Sequence, residues 1–458
     1  MKQERRLSNT KVDVFNNPIW KSLILLAWPI IISNLLQTIY NLTDAFFLGK
    51  LGPQEFSAPT VSFPIIFVFI SLASGFSHAG ASMVAQYTGM KNKKAAEKAA
   101  AQTILTVGVV ATGIMIFGYI FAGRFLSLMS VTPDIYNYAL TYLRIIIISL
   151  PFTFLTELLG GIFRGWGNSY IALRFNFIAI IMNIILDPLL IFGLGLGVYG
   201  AAVATLISRG TMSIIFLTII IKGKLGFRIH LKDFLPDFSF IKKVLTIGLP
   251  SSLGQSVTAF GFTVIIGVVS RFGAEVISGY GVGNRITSMI VMFAIGISLA
   301  SSSMVAQFVG AGETKKASKT IKTAAAFTFF SVSFFSVLLF FFGHNVTRFF
   351  INDPKVIEIG GIFFSLISFS LPFFATMSVF LEALRGTGHT IQSTIVDLTR
   401  LWCVRVPLVL VLSNLYGFHG IFYAMIISNI AALIIALIFF NVGSWKKKTV
   451  HTLSEECI

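Results

Sequence analysis

Twelve apolar stretches, each long enough to cross a bilayer as a helix, constrain this chain more than any other feature. A helical span needs about 20 consecutive apolar residues. The chain has such stretches at 23–48, 58–83, 99–123, 137–159, 170–194, 198–221, 244–269, 278–304, 323–344, 359–383, 392–412 and 418–442. Only 12% of the 458 residues are charged, which is about half the usual share in a soluble domain. The sequence therefore predicts an all-α integral membrane protein and excludes an ordinary soluble enzyme.

The lysines and arginines indicate which loops face the cytoplasm. If the N-terminus lies inside, the basic clusters at 91–98, 222–243, 315–322 and 446–448 all fall on the cytoplasmic side. Such an asymmetry is the usual orientation signal of membrane proteins. We therefore predict a multi-pass plasma-membrane protein with both termini cytoplasmic. The net charge of +17 is then a topology signal, and nucleic-acid binding is not expected.

The second half of the sequence repeats the first at an offset of 221 residues. SMVAQYTG at 82–89 returns as SMVAQFVG at 303–310, and SLPF at 149–152 returns at 370–373. Because each half holds six spans, both halves enter the membrane from the same side, and an axis along the membrane normal relates them. We expect two six-helix lobes in this pseudo-two-fold arrangement with a transport pathway between them. A static duplicated bundle is the alternative.

The predicted domains follow from this repeat. They are an N-terminal tail (1–21), an N-terminal lobe (22–221), a cytoplasmic linker (222–243), a C-terminal lobe (244–442) and a C-terminal tail (443–458). The linker, KGKLGFRIHLKDFLPDFSFIKK, is the longest charged connection. We expect it to carry an amphipathic helix on the membrane surface.

Oxygen-bearing side chains from three spans share one depth in the first lobe. Asp44, Asp187 and Thr205 each lie roughly 6–9 Å below the outer membrane edge, at about 1.5 Å per helical residue. Asn183 lies one turn below Asp187, and Tyr40 lies one turn below Asp44. Two carboxylates close together in a dry site bind a cation or share a proton. We predict that these five residues form a cation-coupling site, whose oxygen atoms suit H⁺ or Na⁺.

The alternative for this site is that each acid pairs with an intramembrane arginine. Arg144 and Arg209 are the candidates in this half, and both are expected nearer the cytoplasmic ends of their spans. The second half carries Ile265 and Leu408 where the first half has its two acids. The coupling chemistry is therefore predicted to belong to the first lobe.

Polar residues in spans 1 and 7 are candidates for a substrate path. Span 7 carries a polar stripe at helical spacing, and we predict that Gln255 and Ser256 of this stripe line the path together with Asn34 and Gln37 of span 1. The alternative is that the stripe holds neighbouring helices together, as polar residues do in membranes.

Two further acids each precede an arginine by three residues, Glu382 before Arg385 and Asp397 before Arg400. This is the spacing of an intrahelical ion pair, and we expect a structural role. The sequence contains no GxxxxGK[ST] loop, HExxH motif or GxSxG motif. It predicts neither an enzyme nor an ATP-driven pump, and no cofactor apart from H⁺ or Na⁺ as the coupling ion.

The span 1 segment PIIISNLLQTIYNLTDAFFLGKLG, the duplicated SMVAQ–G segment and the RGxG turns resemble the multidrug and toxic compound extrusion (MATE) family, from about residue 21 to residue 442. The resemblance implies a secondary antiporter that exports organic cations and other amphipathic, drug-like compounds in exchange for protons or sodium. It implies that the five-residue cluster is the family's cation site and that cation binding bends span 1 at Pro29. One branch of the family also carries acids in spans 7 and 10; these are missing here, so the chain resembles the DinF-like branch. A monomer is expected, because the pathway needs one chain.

Two rival functions remain open. The first is a lipid-linked oligosaccharide flippase of the related two-lobe exporters, for which Arg285, Arg400 and Arg405 are interior basic residues. The second is a polytopic membrane enzyme, for which Glu157 and the acids of spans 10 and 11 are poor catalytic candidates.

Overall fold

The computed structural model describes residues 11–129 and 131–450, and every regular element in these ranges is helical. The first half contains α1 (Ile19–Gly49), α2 (Pro53–Gly89), α3 (Lys93–Leu128), α4 (Pro133–Ile148), α5 (Leu150–Trp166), α6 (Ser169–Pro188) and α7 (Gly197–Ile221). The second half contains α8 (Phe238–Val269), α9 (Ala274–Gly310), α10 (Thr314–Phe350), α11 (Pro354–Gly386), α12 (Thr390–Leu398), α13 (Val406–Tyr416) and α14 (Phe418–Val442). A π-helical segment follows α6 at Leu189–Gly193, and another joins α12 to α13 at Thr399–Arg405. The predicted all-α membrane fold is confirmed.

Ten helices of the described residues are long and apolar enough to cross a membrane. The pair α4 and α5, bent by 46° at their junction, is long and apolar enough to count as an eleventh when taken together. The remaining predicted stretch, 392–412, is helical but is divided by a π-helical segment, so no single α-helix there reaches span length. Counting this divided segment, the described helices occupy all twelve predicted places.

The helix ends repeat at the offset seen in the sequence. Helices α2 and α9 begin and end 221 residues apart, and so do α7 and α14. Span 4 departs from this pattern: a bend at Ser149 separates α4 from α5, whereas α11 runs unbroken through Pro372 in the equivalent SLPF segment. Because both segments contain the proline, the packing around it, and not the proline alone, decides whether the helix bends.

The described residues form two compact units. One is built on Ile32–Ser252, and the other on Val14–Ile31 and Leu253–Thr449. Helices α1 and α8 each pass from one unit to the other two residues after a proline, Pro29 in α1 and Pro250 in α8. The predicted domain boundaries stay a prediction, and the ends of both predicted tails lie outside the described residues.

A glycine on α2 and its counterpart on α9 each permit a close helix contact within one unit. In the first unit, a Cβ on Gly75 would collide with the backbone of Ser252, whose hydroxyl donates to the carbonyl oxygen of Leu72 at 2.8 Å. In the second unit, a Cβ on Gly296 would meet the side chain of Ile31. In both halves a glycine thus permits a close helix–helix contact. The contact is with backbone in the first unit and with a side chain in the second.

The linker is an extended strap rather than a surface helix. Leu225, Phe227 and Ile229 are buried at alternate positions, which is the period of an extended chain. Before α8 begins at Phe238, the linker is helical only in the short 3₁₀ turn Leu231–Phe234. The expectation of an amphipathic helix is wrong, because Gly226 adopts a left-handed conformation (φ 77°) and the apolar residues follow a period of two.

The strap is fixed to α3 of the first unit. Gln102 donates from Nε2 to the carbonyl oxygens of Asp233 and Leu235, both at 2.6 Å. Lys98 Nζ lies 2.6 Å from Asp237 Oδ2. Although burial by itself raises the pKa of the Asp237 carboxyl, the hydrogen bond and charge of Lys98 prevail, and the pKa is lowered. The contact with Lys98 therefore favours the ionised form of Asp237.

Candidate functional site

The five predicted coupling residues come together inside the first unit. The hydroxyls of Tyr40 on α1 and Thr205 on α7 lie 2.9 Å apart. Asn183 donates from Nδ2 to Oδ1 of Asp187, one turn further along α6, at 3.2 Å. Asp44 lies one turn after Tyr40, and its charge acts on Asp187. Three helices thus bring these residues together, while their depth in the membrane and their coupling role stay predictions.

Three oxygen atoms of this cluster are buried and have no hydrogen-bond partner among the described residues: Asp44 Oδ1, Asn183 Oδ1 and Asp187 Oδ2. Most buried polar atoms have a partner, because an unpaired one loses its hydration without compensation. All three atoms are acceptors, so a proton or a hard cation would satisfy them. The described residues contain no group of three or more His, Cys, Asp or Glu side chains that could hold a metal ion. A bound cation would therefore rest on two carboxylates and neutral oxygens.

A cavity of ≈ 370 Å³ lies beside Asp44. Its walls come from α1, α2, α4, α5 and α7, and they are mainly aliphatic and aromatic, including Phe56, Phe63 and Tyr142. The bend between α4 and α5 occurs in the wall itself, at Ser149. The volume and the apolar lining with few polar groups are typical of small-molecule sites.

Arg209 of α7 lines the same cavity. Its guanidinium lies 5.7 Å from the ring centroid of Tyr40 and donates through Nη1 to Thr153 Oγ1 at 3.2 Å. The expectation that Arg209 lies nearer the cytoplasmic end of its span is wrong, because it lies at the middle of α7. Its charge also acts on Asp44. Neither candidate arginine forms an ion pair with Asp44 or Asp187 in the described part of the chain. The alternative of arginine-paired acids is therefore not what the structure shows.

The residues predicted for the substrate path belong to both units. Gln37 lies in the wall of a small cavity of ≈ 30 Å³ and donates to Asn41 Oδ1 at 3.2 Å. Asn34 lies one turn earlier on α1 and is half-buried. Gln255 and Ser256 are half-buried on α8 in the second unit. The role of these four residues stays a prediction.

The two acids that each precede an arginine, Glu382 and Asp397, are held by arginines. Arg385 donates to Glu382 Oε1 and to Asp397 Oδ2, each at 2.5 Å, and Arg400 Nη2 lies 3.9 Å from Asp397 Oδ1. The two predicted pairs are confirmed, and the bond from α11 to α12 is an addition that sequence spacing does not reveal. Arg405 is also buried and donates to polar side chains of α14. Of the three arginines named for the flippase alternative, Arg400 and Arg405 are buried and contact polar side chains of the second unit, whereas Arg285 is exposed and the expectation that it is interior is wrong.

The protein has a multi-pass helical fold built from two repeated halves, with a cavity beside two carboxylates. These features together are typical of membrane transporters. The MatE family model matches residues 29–189 and again residues 250–411. The chain therefore belongs to the MatE family, which consists of transporters and not of enzymes. The two matches start 221 residues apart, which confirms the internal repeat.

Known relatives align along nearly the whole chain. It is 28% identical to the probable multidrug resistance protein YpnP of Bacillus subtilis, over 96% of this chain and 99% of that protein. It is also 28% identical to the probable multidrug resistance protein NorM of Thermotoga maritima, over 95% of each chain. A crystal structure of MATE in complex with MaL6 matches with a TM-score of 0.88 at 22% identity, over 96% of this chain and 99% of the other. This structural match supports the fold.

Proposed function

We propose that this protein is a secondary multidrug antiporter that exports organic cations and other amphipathic small molecules in exchange for H⁺ or Na⁺. Relatives that align with 92–96% of the chain are named as multidrug resistance or multidrug export proteins, which supports the export of drug-like compounds. The aromatic and aliphatic walls of the first-unit cavity suit such compounds.

One observation carries the proposed coupling: three buried acceptor oxygens lack partners among the described residues, and one of them belongs to Asp44 in the cavity wall. When Asp44 is ionised, its charge attracts a cationic substrate. When H⁺ or Na⁺ binds, that charge is neutralised and the attraction is lost. The coupling ion and the substrate thus compete for one negative charge, which is sufficient for exchange.

The proposed hinge is Pro29. A proline inside a helix removes one backbone hydrogen bond and permits a bend. Pro29 and Asp44 lie on the same helix, so a bend in α1 would let cation binding change the cavity. We further propose that both termini are cytoplasmic and that the protein works as a monomer. We also propose that it needs no cofactor apart from the coupling ion.

The test is transport of ethidium by purified protein in proteoliposomes, under a proton gradient and a sodium gradient imposed separately. We expect one of the two gradients to drive transport in the wild type. Asp44→Asn and Asp187→Asn keep the size of the side chain and remove its charge. Each is expected to lower gradient-driven transport at least tenfold, because the ion no longer has a carboxylate to neutralise.

The matched control is Asp134→Asn, which removes an exposed acid from the first turn of α4 in the same unit. Its transport rate should equal that of the wild type. Full gradient-driven transport by Asp44→Asn would contradict the proposed coupling site. If neither gradient moves substrate through folded wild-type protein, the antiporter itself is contradicted.

A further inference from the structure

Arg209 brings a positive charge to a cavity that is proposed to accept organic cations. The residue lines both the ≈ 370 Å³ cavity and the small cavity beside it. Among the described residues, its one hydrogen bond is to a neutral hydroxyl, that of Thr153. Its other contact is the ring of Tyr40, at 5.7 Å from the centroid. Arg209 therefore influences the charge of Asp44 without forming an ion pair with it, and no described carboxylate uses its N–H donors.

Arg209 has N–H donors that no described carboxylate uses, so they can bind a ligand. No carboxylate of the described residues forms an ion pair with it, although Asp44 shares the larger cavity and Glu157 shares the smaller one. A guanidinium offers five N–H donors in a planar fork. The hydrogen bond from Arg209 to Thr153 uses one of them. The unused donors match the two oxygens of a carboxylate, which arginine binds in a bidentate manner.

We propose that Arg209 forms an anion subsite, which holds the acidic group of amphipathic substrates that also carry a basic group. The inference rests on the proposed function and narrows its substrate class. Asp44 is the one acidic residue in the described lining of the larger cavity, so that wall offers one negative and one positive group among apolar side chains. A zwitterionic substrate with an aromatic body matches both charges. A substrate with positive charge alone is attracted by Asp44 and repelled by Arg209.

The test compares two fluorescent probes that differ in one charge. Nα-dansyl-lysine carries a carboxylate and an amine, whereas its methyl ester keeps the amine and loses the carboxylate. Equilibrium binding to wild-type protein in nanodiscs should favour the acid over the ester. Arg209→Gln should reduce the ratio of the two affinities roughly tenfold, since a hydrogen-bonded charge is removed from the acid and a repulsion from the ester. Arg209→Lys should restore part of the preference, because the charge returns without the planar fork.

The matched control is Arg144→Gln. Arg144 is a half-buried arginine of the same unit that packs 5.2 Å from the ring centroid of Tyr119 and lines neither cavity. The preference for the acid should be the same in this variant as in the wild type. An equal preference in wild type and Arg209→Gln, or a wild type that binds the ester at least as tightly as the acid, overturns the anion subsite.

Transport separates this inference from the proposed function. If a gradient drives ethidium export but Arg209→Gln leaves the acid-to-ester ratio unchanged, the antiporter stands and the subsite is wrong. If the ratio depends on Arg209 but neither gradient drives transport, the subsite stands and the antiporter is wrong.

Discussion

In the first half of the chain, Asp44 and Asp187 each keep one buried carboxylate oxygen without a hydrogen bond among the described residues. In the second half, Asp397 lies between two arginines and accepts a hydrogen bond from Arg385 at 2.5 Å. The two halves share part of their backbone pattern, since α2 and α7 begin and end at the same repeat positions as α9 and α14. The difference lies in which side chains the duplicated helices carry.

This comparison separates two uses of a buried acid. An acid whose oxygens lack partners can exchange a proton or a cation, because binding an ion satisfies those oxygens. Asp397 is already paired with two arginines, and removing it leaves buried positive charge uncompensated. The two halves are thus similar helical bundles, and the proposed ion exchange uses only the acids of the first half.

The largest effect is expected when an acid is placed at the second-half equivalent of Asp44. Ile265 is 1% exposed and belongs to an apolar core cluster. Ile265→Asp should lower the free energy of unfolding by about 4 kcal/mol or more, because it buries a charge where an apolar side chain packs. Thermal unfolding of the purified protein measures this, with Ile265→Val as a control that costs about 1 kcal/mol. A stable Ile265→Asp protein that regains coupling in the Asp44→Asn background would show that the two halves are interchangeable.

A smaller effect is expected from Asp397→Asn, which leaves Arg400 without a carboxylate partner and weakens the bond between α11 and α12. We expect a loss of about 3 kcal/mol in unfolding free energy, while each folded molecule keeps its gradient-driven transport. Asp44→Asn is the contrasting variant, with stability at least equal to that of the wild type and coupling lost. Unfolding midpoints and transport rates per folded protein measure both properties. If Asp397→Asn were stable but uncoupled, the second half would take part in ion exchange.

The sequence predicted what depends on periodicity along the chain. Span-length hydropathy located all twelve helical segments, and the constant helical rise placed Asp44, Asp187 and Thr205 at one depth. The sequence did not predict the bend at Ser149 or the position of Arg209 in the cavity wall. Both depend on which helix faces meet, and spacing within one helix contains no such information. The extended strap has a sequence signal, the alternation of Leu, Phe and Ile in LGFRI, although the many charges of the linker favour a surface helix.

A moderate effect is expected at the paired glycines. Gly75→Ala should cost about 2 kcal/mol, because the new Cβ would collide with the backbone of Ser252, which cannot move alone. Gly296→Ala should cost less, about 1 kcal/mol, because the new Cβ would collide with a side-chain carbon of Ile31 and not with backbone. Unfolding midpoints of the two variants, purified in the same detergent, measure the difference. Equal losses would mean that the two units pack these helices equally tightly.

The smallest effect is expected at the strap, where the halves differ at equivalent lysines. Lys98 pairs with Asp237, whereas Lys319, 221 residues later, forms no ion pair with a described residue. Lys98→Ala should cost about 0.5 kcal/mol at pH 7, as expected for a partly exposed pair, and Lys319→Ala should cost nothing measurable. Because Lys98 lowers the pKa of Asp237, the stabilisation is present above the unfolded pKa of about 4 and is lost as the pH falls through the lower folded value. The stability difference between wild type and Lys98→Ala should therefore shrink below about pH 4. A difference that stays constant between pH 7 and pH 3 would mean that Lys98 acts through packing on the strap and not through the charge of Asp237.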